Sequence, residues 1–570
     1  MVEQKDKYHK IYCDRDKYTN AILNSASNKK VVVAGPGTGK TYLFKEILKD
    51  KKNALTLTFI NSLVEDLSLE LYGLSEVRTL HSYARSILNK ITKKNIKVWP
   101  RFSSIIKKDA VIFIGKEIDF NKLFYNREDT NDLIEFYKKR KEYYGYYGYT
   151  DIIFAAVMYF QEHKERIPSY DQILIDEFQD FNKLEVSLIE LLAEKSPILL
   201  VGDDDQALYD FKDASTHFIR EKHSSKIPDY ESYTLPYCAR CTKVVVSATN
   251  DIIRSAKNAG YLKNRIDKPY LYFQCQEKDT ISDTFSKIGY AQLHERQIPW
   301  FIEKETGEVA KQIKDKFSVL IISPYKKQSC KIAEALKSKG LQNVEYSEKD
   351  DSEISLLDGL KLLLDDKEDN LGWRIIAENL LTDNEFELLL KMTETYPDKK
   401  IHGIIDISYK KEVKQMLRFL KYVKDNKPVD YEDFDKVLSS IKINPYQITI
   451  QSVKNEIDTT KQKIGNPAIR NLPIKLTTIQ SSKGLSGDLI FITHFDDRYF
   501  IKNKNKSKIS DQDICNFLVS LTRTKKKAYL ISSVKEKPIF FKWISEDLIE
   551  SLNSTLRRGS GPCGKKYEKQ

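Results

Sequence analysis

The sequence predicts an α/β fold of two parallel-sheet units, each interrupted by a mainly helical stretch, and three observations predict it. The run Val31 to Thr41, VVVAGPGTGKT, passes from a β-branched strand through a glycine-rich loop into a helix with apolar residues at Leu43, Phe44, Ile47 and Leu48. A second buried strand, Ile173 to Ile175, ends in Asp176 and Glu177. Residues 317 to 322 and 489 to 494 read as strands of a further unit, while Leu88 to Glu165 and Leu356 to Asn466 carry charged, helix-forming sequence and no strong strand.

The glycine-rich loop carries the first chemistry. Backbone N–H groups of Ala34, Gly35, Pro36, Gly37, Thr38 and Gly39, all but the proline's, are placed to curl around a polyphosphate, with the helix N-terminus adding positive charge. Lys40 reaches the β and γ phosphates and Thr41 holds Mg²⁺. Ala34 stands where the strict pattern G-x-x-x-x-G-K-[ST] has its first glycine. A glycine-rich turn before an ordinary helix is the alternative, and lysine followed by threonine in this setting argues against it.

Bulk properties set the class. A chain of 570 residues, 41% hydrophobic, has room for several domains with ordinary cores. Its net charge of +12 and pI of about 8.9 make an acidic polymer, nucleic acid first, a plausible partner. Seven scattered cysteines point to a reducing compartment. The start, MVEQKDKYHK, is too polar for a signal peptide, and the apolar run Ile152 to Phe160 is far short of the ~20 residues a membrane span needs. A cytoplasmic protein without membrane contact is expected.

In chain order, residues 11 to 22 form a short helix ahead of the loop. Leu55 to Phe59 is a strand whose carboxyl end presents Phe59, Ile60 and Asn61, where parallel sheets bind ligands; plain helix capping by Asn61 is the alternative. Thr79, His81 and Ser82 open the next helix. Within the first helical stretch, Tyr137 to Tyr149 interleaves cations with aromatic rings, which fits either a surface that stacks on bases or a tyrosine-packed loop. Asp176 and Glu177, downstream of a phosphate loop, supply a metal-binding carboxylate and a base for the attacking water. The strand Ile198 to Val201 releases GDDDQALYDFKDA, where Gln206 is placed to sense a γ-phosphate and Tyr209 and Phe211 offer flat rings; core packing is the alternative for both rings. Cys238 and Cys241 have the spacing of a zinc or redox pair, but no second ligand pair follows at suitable spacing for structural zinc. Thr522 and Arg523 precede the last strand, and residues 552 to 570 read as a disordered tail.

Taken together these motifs resemble the UvrD/PcrA/Rep family of superfamily 1A DNA helicases and translocases, in the right order between residues 14 and 545. VVVAGPGTGKT is similar to motif I, LTFINSLVEDL to motif Ia, RTLHSYA to motif Ib, LIDEFQDFN to motif II and VGDDDQALYDFKDA to motif III. The resemblance implies two RecA-like domains, 1A (1–88 and 166–255) and 2A (256–355 and 467–551), with helical insertions 1B (89–165) and 2B (356–466) and a flexible tail at 552–570. It implies ATP and Mg²⁺ as cofactors, with Lys40 on the phosphates, Thr41 and Asp176 on Mg²⁺, Glu177 on the water, Gln206 as γ-phosphate sensor and Gly484 beside the nucleotide. Arg240 and Arg523 match the arginines of motifs IV and VI, a role typically worth about 10³ to 10⁵ in rate. Single-stranded or partly duplex DNA is the implied substrate, contacted by Phe59, Asn61, His81, Tyr209 and Phe211.

Departures from the family pattern qualify this. The adenine-reading glutamine falls at Tyr18 and the motif IV tyrosine at Ala239, so weaker discrimination among nucleoside triphosphates is expected. In motif V the usual histidine is Gln480 and the ribose-contacting glutamate is Ser486. The chain passes quickly from Ser532 through KEKPIFFKWI, leaving little room for the duplex-splitting hairpin of larger members. Two functions are therefore expected: a 3′-to-5′ DNA translocase and helicase, or a nucleic-acid-stimulated NTPase that regulates a DNA-repair or phage-defence complex, with a nuclease or other subunit as partner.

Overall fold

A computed structural model describes residues 2–59, 61–126, 131–207, 216–224, 229–313, 315–346, 354–424, 469–501 and 509–552. Tyr209 and Phe211 lie outside the described residues, as does the side chain of Asn61. Six strands form the first sheet: β1 (Lys29–Ala34), β2 (Ala54–Thr58), β3 (Glu76–Thr79), β4 (Gln172–Ile175), β5 (Ile198–Gly202) and β6 (Glu231–Leu235). Their order is β3-β2-β4-β5-β1-β6 and every pairing is parallel, so all six carboxyl ends meet at one edge. The central strands are buried along their whole length, which is why they read as unbroken apolar runs.

A two-residue pairing, β7 (Tyr237–Cys238) with β8 (Leu271–Tyr272), leads out of the first sheet. The second sheet comprises β9 (Ile288–Gln292), β10 (Val319–Ser323), β11 (Val344–Glu345), β12 (Ile474–Thr478), β13 (Gly487–Ile492), β14 (Thr524–Ser532) and β15 (Ile549–Ser551). It is also wholly parallel, in the order β11-β12-β10-β13-β14-β9-β15. Between β14 and β15 the described chain forms the short helix Ile539–Lys542 and a 3₁₀ turn, with no strand. No described helix is long and apolar enough to cross a membrane.

Among the described residues five α-helices separate β3 from β4: Leu80–Thr92, Phe102–Ile114, Phe120–Asn126, Asn131–Tyr144 and Tyr149–Glu162. The cation–tyrosine run at 137–149 belongs largely to their core, since Tyr137, Arg140, Tyr144 and Tyr146 are buried. Packing, not a base-stacking face, accounts for these four residues. A second helical group, from Leu356–Asp365 to Ile407–Lys424, follows β11.

The two groups are joined by a buried charge cluster. Arg374 donates through Nε and Nη2 to Asp109 Oδ1 at 3.0 and 2.8 Å, and Arg140 donates to Asp109 Oδ2 at 3.1 Å and to Thr393 at 2.9 Å. Tyr144 adds a 2.6 Å hydrogen bond to Asp109, and Glu378 pairs with Arg374. One carboxylate thus holds two guanidinium groups in a place water does not reach. Asp109→Asn leaves both under-compensated, and breaking a buried pair in this way typically costs 3–5 kcal/mol, so we expect about that loss in denaturant unfolding. A loss under about 1 kcal/mol would mean that packing alone joins the two groups.

Candidate nucleotide and nucleic-acid sites

The phosphate loop sits at the carboxyl end of β1. Left-handed backbone at Gly37 (φ 72°) and Gly39 (φ 94°) turns the chain directly into the helix Lys40–Leu48, which buries Leu43, Phe44 and Leu48. A Cβ on Gly37 would fall 2.4 Å from Arg240 Cβ, so only glycine allows the segment after β7 to lie against the loop. Thr38 Oγ1 donates back to the Gly35 carbonyl at 2.8 Å, and Ala34, Gly35 and Pro36 run from the buried strand end into this turn. A cavity of about 630 Å³ opens beside the loop, lined by Gly37 to Thr41, Ala239, Arg240, Lys278 and, from the second unit, Asp488, Lys525 and Lys526.

Next to the loop, at the end of β4, stand the two acids. Lys40 Nζ donates to Glu177 Oε1 at 2.7 Å and lies 3.9 Å from Asp176 Oδ1. Glu177 has a left-handed backbone, φ 54°, a strained choice for a residue with a side chain. Gln179 fixes its carboxylate: Nε2 donates to Glu177 Oε2 at 2.7 Å, while Oε1 accepts from the Asp203 N–H at 2.9 Å. Burial opposes ionisation of Glu177, but Lys40 and then Lys483, 3.4 Å away, outweigh it and hold its carboxyl well below the ordinary range. Asp176 differs, because burial pushes it up to about 6. Its Oδ1 is buried and accepts no hydrogen bond from the described residues, which suits a hard cation.

The second unit completes this cluster. Lys483, in the crossing between β12 and β13, is buried and donates to Asp180 Oδ2 at 2.5 Å and to the Gln206 carbonyl at 2.8 Å. Arg523, just before β14, donates through Nη2 to Gln206 Oε1 at 2.6 Å, and Gln206 Nε2 donates to Asp203 at 2.6 Å. Burial, and after it neighbouring Arg240, pulls the Arg523 guanidinium down to about 10, so it stays charged near neutral pH. Gly484 has φ 81° and faces the first unit, where a Cβ would fall 2.5 Å from Leu63 Cδ2; that approach by itself accounts for a glycine here. Asp203, Asp204 and Asp205 stand close enough to share a metal ion, but Lys268 pairs with all three and Arg265 with Asp205. They clamp the segment following the first sheet.

Phe59 and His81 line a different cavity, of about 460 Å³, with Arg85, Tyr125, Tyr149 and Glu185. Phe59 packs edge-on to Phe181, and the His81 ring lies 5.1 Å from that of Tyr149 with Nε2 3.7 Å from Glu185. Tyr18 packs edge-on to Tyr237, and the Ala239 N–H donates to the Gly37 carbonyl at 2.9 Å.

Gln179 and Lys483 carry no assigned role in the motif reading. Gln179 sits inside DEFQD and was visible only as a letter; Lys483 needed the two units in contact.

A phosphate loop, paired acids at a parallel sheet edge and cations from a second parallel sheet define a two-unit P-loop nucleotide site. Comparison with known proteins agrees. Residues 115–226 match the model of the UvrD/REP helicase N-terminal domain. The chain is 22% identical to the ATP-dependent DNA helicase PcrA of Staphylococcus aureus, with 97% of this chain and 90% of that protein covered. It is 21% identical to a probable DNA helicase II homolog of Mycoplasma genitalium, covering 89% and 83% respectively. A putative ATP-dependent DNA helicase, YjcD, of Bacillus subtilis is 28% identical over 27% of this chain. The chain is thus similar at low identity to DNA helicase II and PcrA proteins over most of its length.

Glu177→Gln should lower hydrolysis by about 10²–10⁴ and leave nucleotide binding intact, because the base acts only as water is deprotonated. Lys40→Ala should instead weaken binding itself. Single-turnover hydrolysis beside fluorescent-nucleotide titration checks both, and near-normal turnover in Glu177→Gln would remove the base assignment.

Proposed function

We propose that this protein is an ATP-dependent DNA helicase that moves 3′ to 5′ along single-stranded DNA, with Mg²⁺ as its hydrolysis cofactor. The observation that carries the reading is that Lys483 and Arg523, from the second sheet, touch Asp180, Glu177 and Gln206 of the first. Hydrolysis chemistry that is assembled across two units changes with their separation, which is what a motor requires. On this reading the units are RecA-like domains 1A and 2A, and the helical groups are insertions 1B and 2B.

Lys40 and the loop N–H groups hold the phosphates. Thr41 and Asp176 hold Mg²⁺, which neutralises charge on the phosphates when bound. Glu177, held ionised by its lysine neighbours and aimed by Gln179, takes the proton from the attacking water. Gln206 senses the γ-phosphate, and Arg523 and Arg240 stabilise the charge that develops on it. Phe59 and His81, with Asn61, Tyr209 and Phe211, are assigned to the DNA strand, where each ring that stacks on a base contributes about 1–3 kcal/mol.

The absence of a strand between β14 and β15 favours a second reading, a DNA-stimulated NTPase that regulates a repair or defence complex and depends on a partner to open duplex. ATP hydrolysis with and without oligo-dT, run beside strand displacement on 3′-tailed and 5′-tailed duplexes, separates the two. The helicase reading predicts DNA-stimulated hydrolysis and displacement on the 3′-tailed duplex only. Stimulated hydrolysis without displacement on either duplex selects the regulator, and hydrolysis indifferent to DNA contradicts both.

A further inference from the structure

Cys238 and Cys241 take no part in the mechanism above, yet they bracket Arg240. Cys238 ends β7, and Cys241 comes just before Thr242, the N-cap of the helix Lys243–Asn258. Both thiols are buried. The Cys241 N–H points at Cys238 Sγ, 3.4 Å away, and the Tyr270 hydroxyl lies 3.1 Å from Cys238 Sγ and 3.9 Å from Cys241 Sγ. The turn is fastened on two sides. Ala239 N–H donates to the Gly37 carbonyl of the phosphate loop, and Cys241 Sγ donates to the Thr522 carbonyl at 3.5 Å, next to Arg523.

We propose that Cys238 and Cys241 form a reversible disulfide that a peroxide drives and that shuts the nucleotide site. The two sulfurs are chemically unequal, as a nucleophile and its resolving partner must be. Burial pushes the Cys238 thiol up, but hydrogen bonds from Cys241, Tyr270 and the N–H groups of 241 and 240 outweigh it and bring the thiol down to about 6. Cys241 is held above its ordinary value, first by its hydrogen bond with Cys238. Ala239 and Arg240, the two residues between the cysteines, line the cavity beside the loop.

The Cys238 thiolate attacks one peroxide oxygen and breaks the O–O bond, and the hydroxide released takes up a proton to become water. Cys241 sulfur then displaces hydroxide from the resulting sulfenic acid and loses its own proton, forming the S–S bond and a second water. Two thiols give up two electrons in all, and one peroxide is reduced to two waters. Forming the S–S bond draws Cys241 Sγ toward Cys238 and away from the Thr522 carbonyl it approaches to 3.5 Å beside Arg523, while the turn carrying Arg240 tightens. Two arginines assigned to the γ-phosphate are disturbed together.

This rests on the proposed hydrolysis only for its activity readout. The full-length protein is exposed to hydrogen peroxide, quenched with catalase, and divided between ATPase assay, nucleotide binding and non-reducing peptide mass analysis. The expected result is loss of two hydrogens from the peptide holding both cysteines, hydrolysis lowered at least about tenfold, and recovery with dithiothreitol. The Cys238→Ser/Cys241→Ser double variant, which keeps the other five cysteines, should ignore the same treatment. Two thiols that remain alkylatable after peroxide overturn the proposal. So does a disulfide that leaves hydrolysis within twofold. If the reduced protein hydrolyses nothing, the NTPase reading fails, and the switch is judged by nucleotide affinity in the same samples: a disulfide that leaves affinity unchanged overturns it. Should the double variant not fold, dithiothreitol reversal in the wild-type chain decides.

Discussion

The buried ammonium of Lys483 is the contact on which the rest of the structure depends. It stands between Asp180, Glu177 and the Gln206 carbonyl, three groups that belong to the other sheet. A lone ammonium at such depth is expensive, and so is each carboxylate it faces; together they compensate one another only while the two units touch. Arg523, donating to the side chain of the same Gln206, repeats the arrangement. Because both cations come from the second unit, separating the units would leave Asp180 without its ammonium and Glu177 with Lys40 alone of its two lysine neighbours. The charge balance at the two acids therefore depends on the position of the units.

Other features follow from that constraint. The glycines at 37 and 484 are where the backbone of one segment presses on another, against Arg240 and Leu63. The strained backbone at Glu177 points its carboxylate between Lys40 and Lys483, and Gln179 prevents it from relaxing. Away from the phosphate loop, Asp109 performs a similar task for the two helical groups, so buried ion clusters join separately coded pieces at both places.

The sequence made the nucleotide half of the site legible because its chemistry is local. A strand, a glycine turn and Lys40–Thr41 lie within eleven residues, and Asp176 and Glu177 follow one apolar strand. Strands such as β6, ESYTL, and β9, IGYAQ, carry no unbroken apolar run and stayed hidden until their neighbours were in place. The tyrosine-rich run at 137–149 suits DNA and packing equally by its composition; Asp109 and Asp369 from elsewhere in the chain, and Asp151 just beyond the run, accept its tyrosine hydroxyls in the interior. Nothing local marks Lys483 as a neighbour of the two acids, since its partners lie some three hundred positions earlier in the chain.

The central claim is that hydrolysis needs charge delivered from the second unit. Its most direct test is kcat and nucleotide affinity for Lys483→Met, measured beside the thermal melt and repeated in Lys483→Met/Asp180→Asn, which removes the carboxylate left unpaired. The account predicts a folded double variant that binds nucleotide within about threefold of wild type and hydrolyses it about 10²-fold or more slowly, the scale of losing one preorganised donor at a reacting centre. Hydrolysis at the wild-type rate in a folded protein without Lys483 would contradict it.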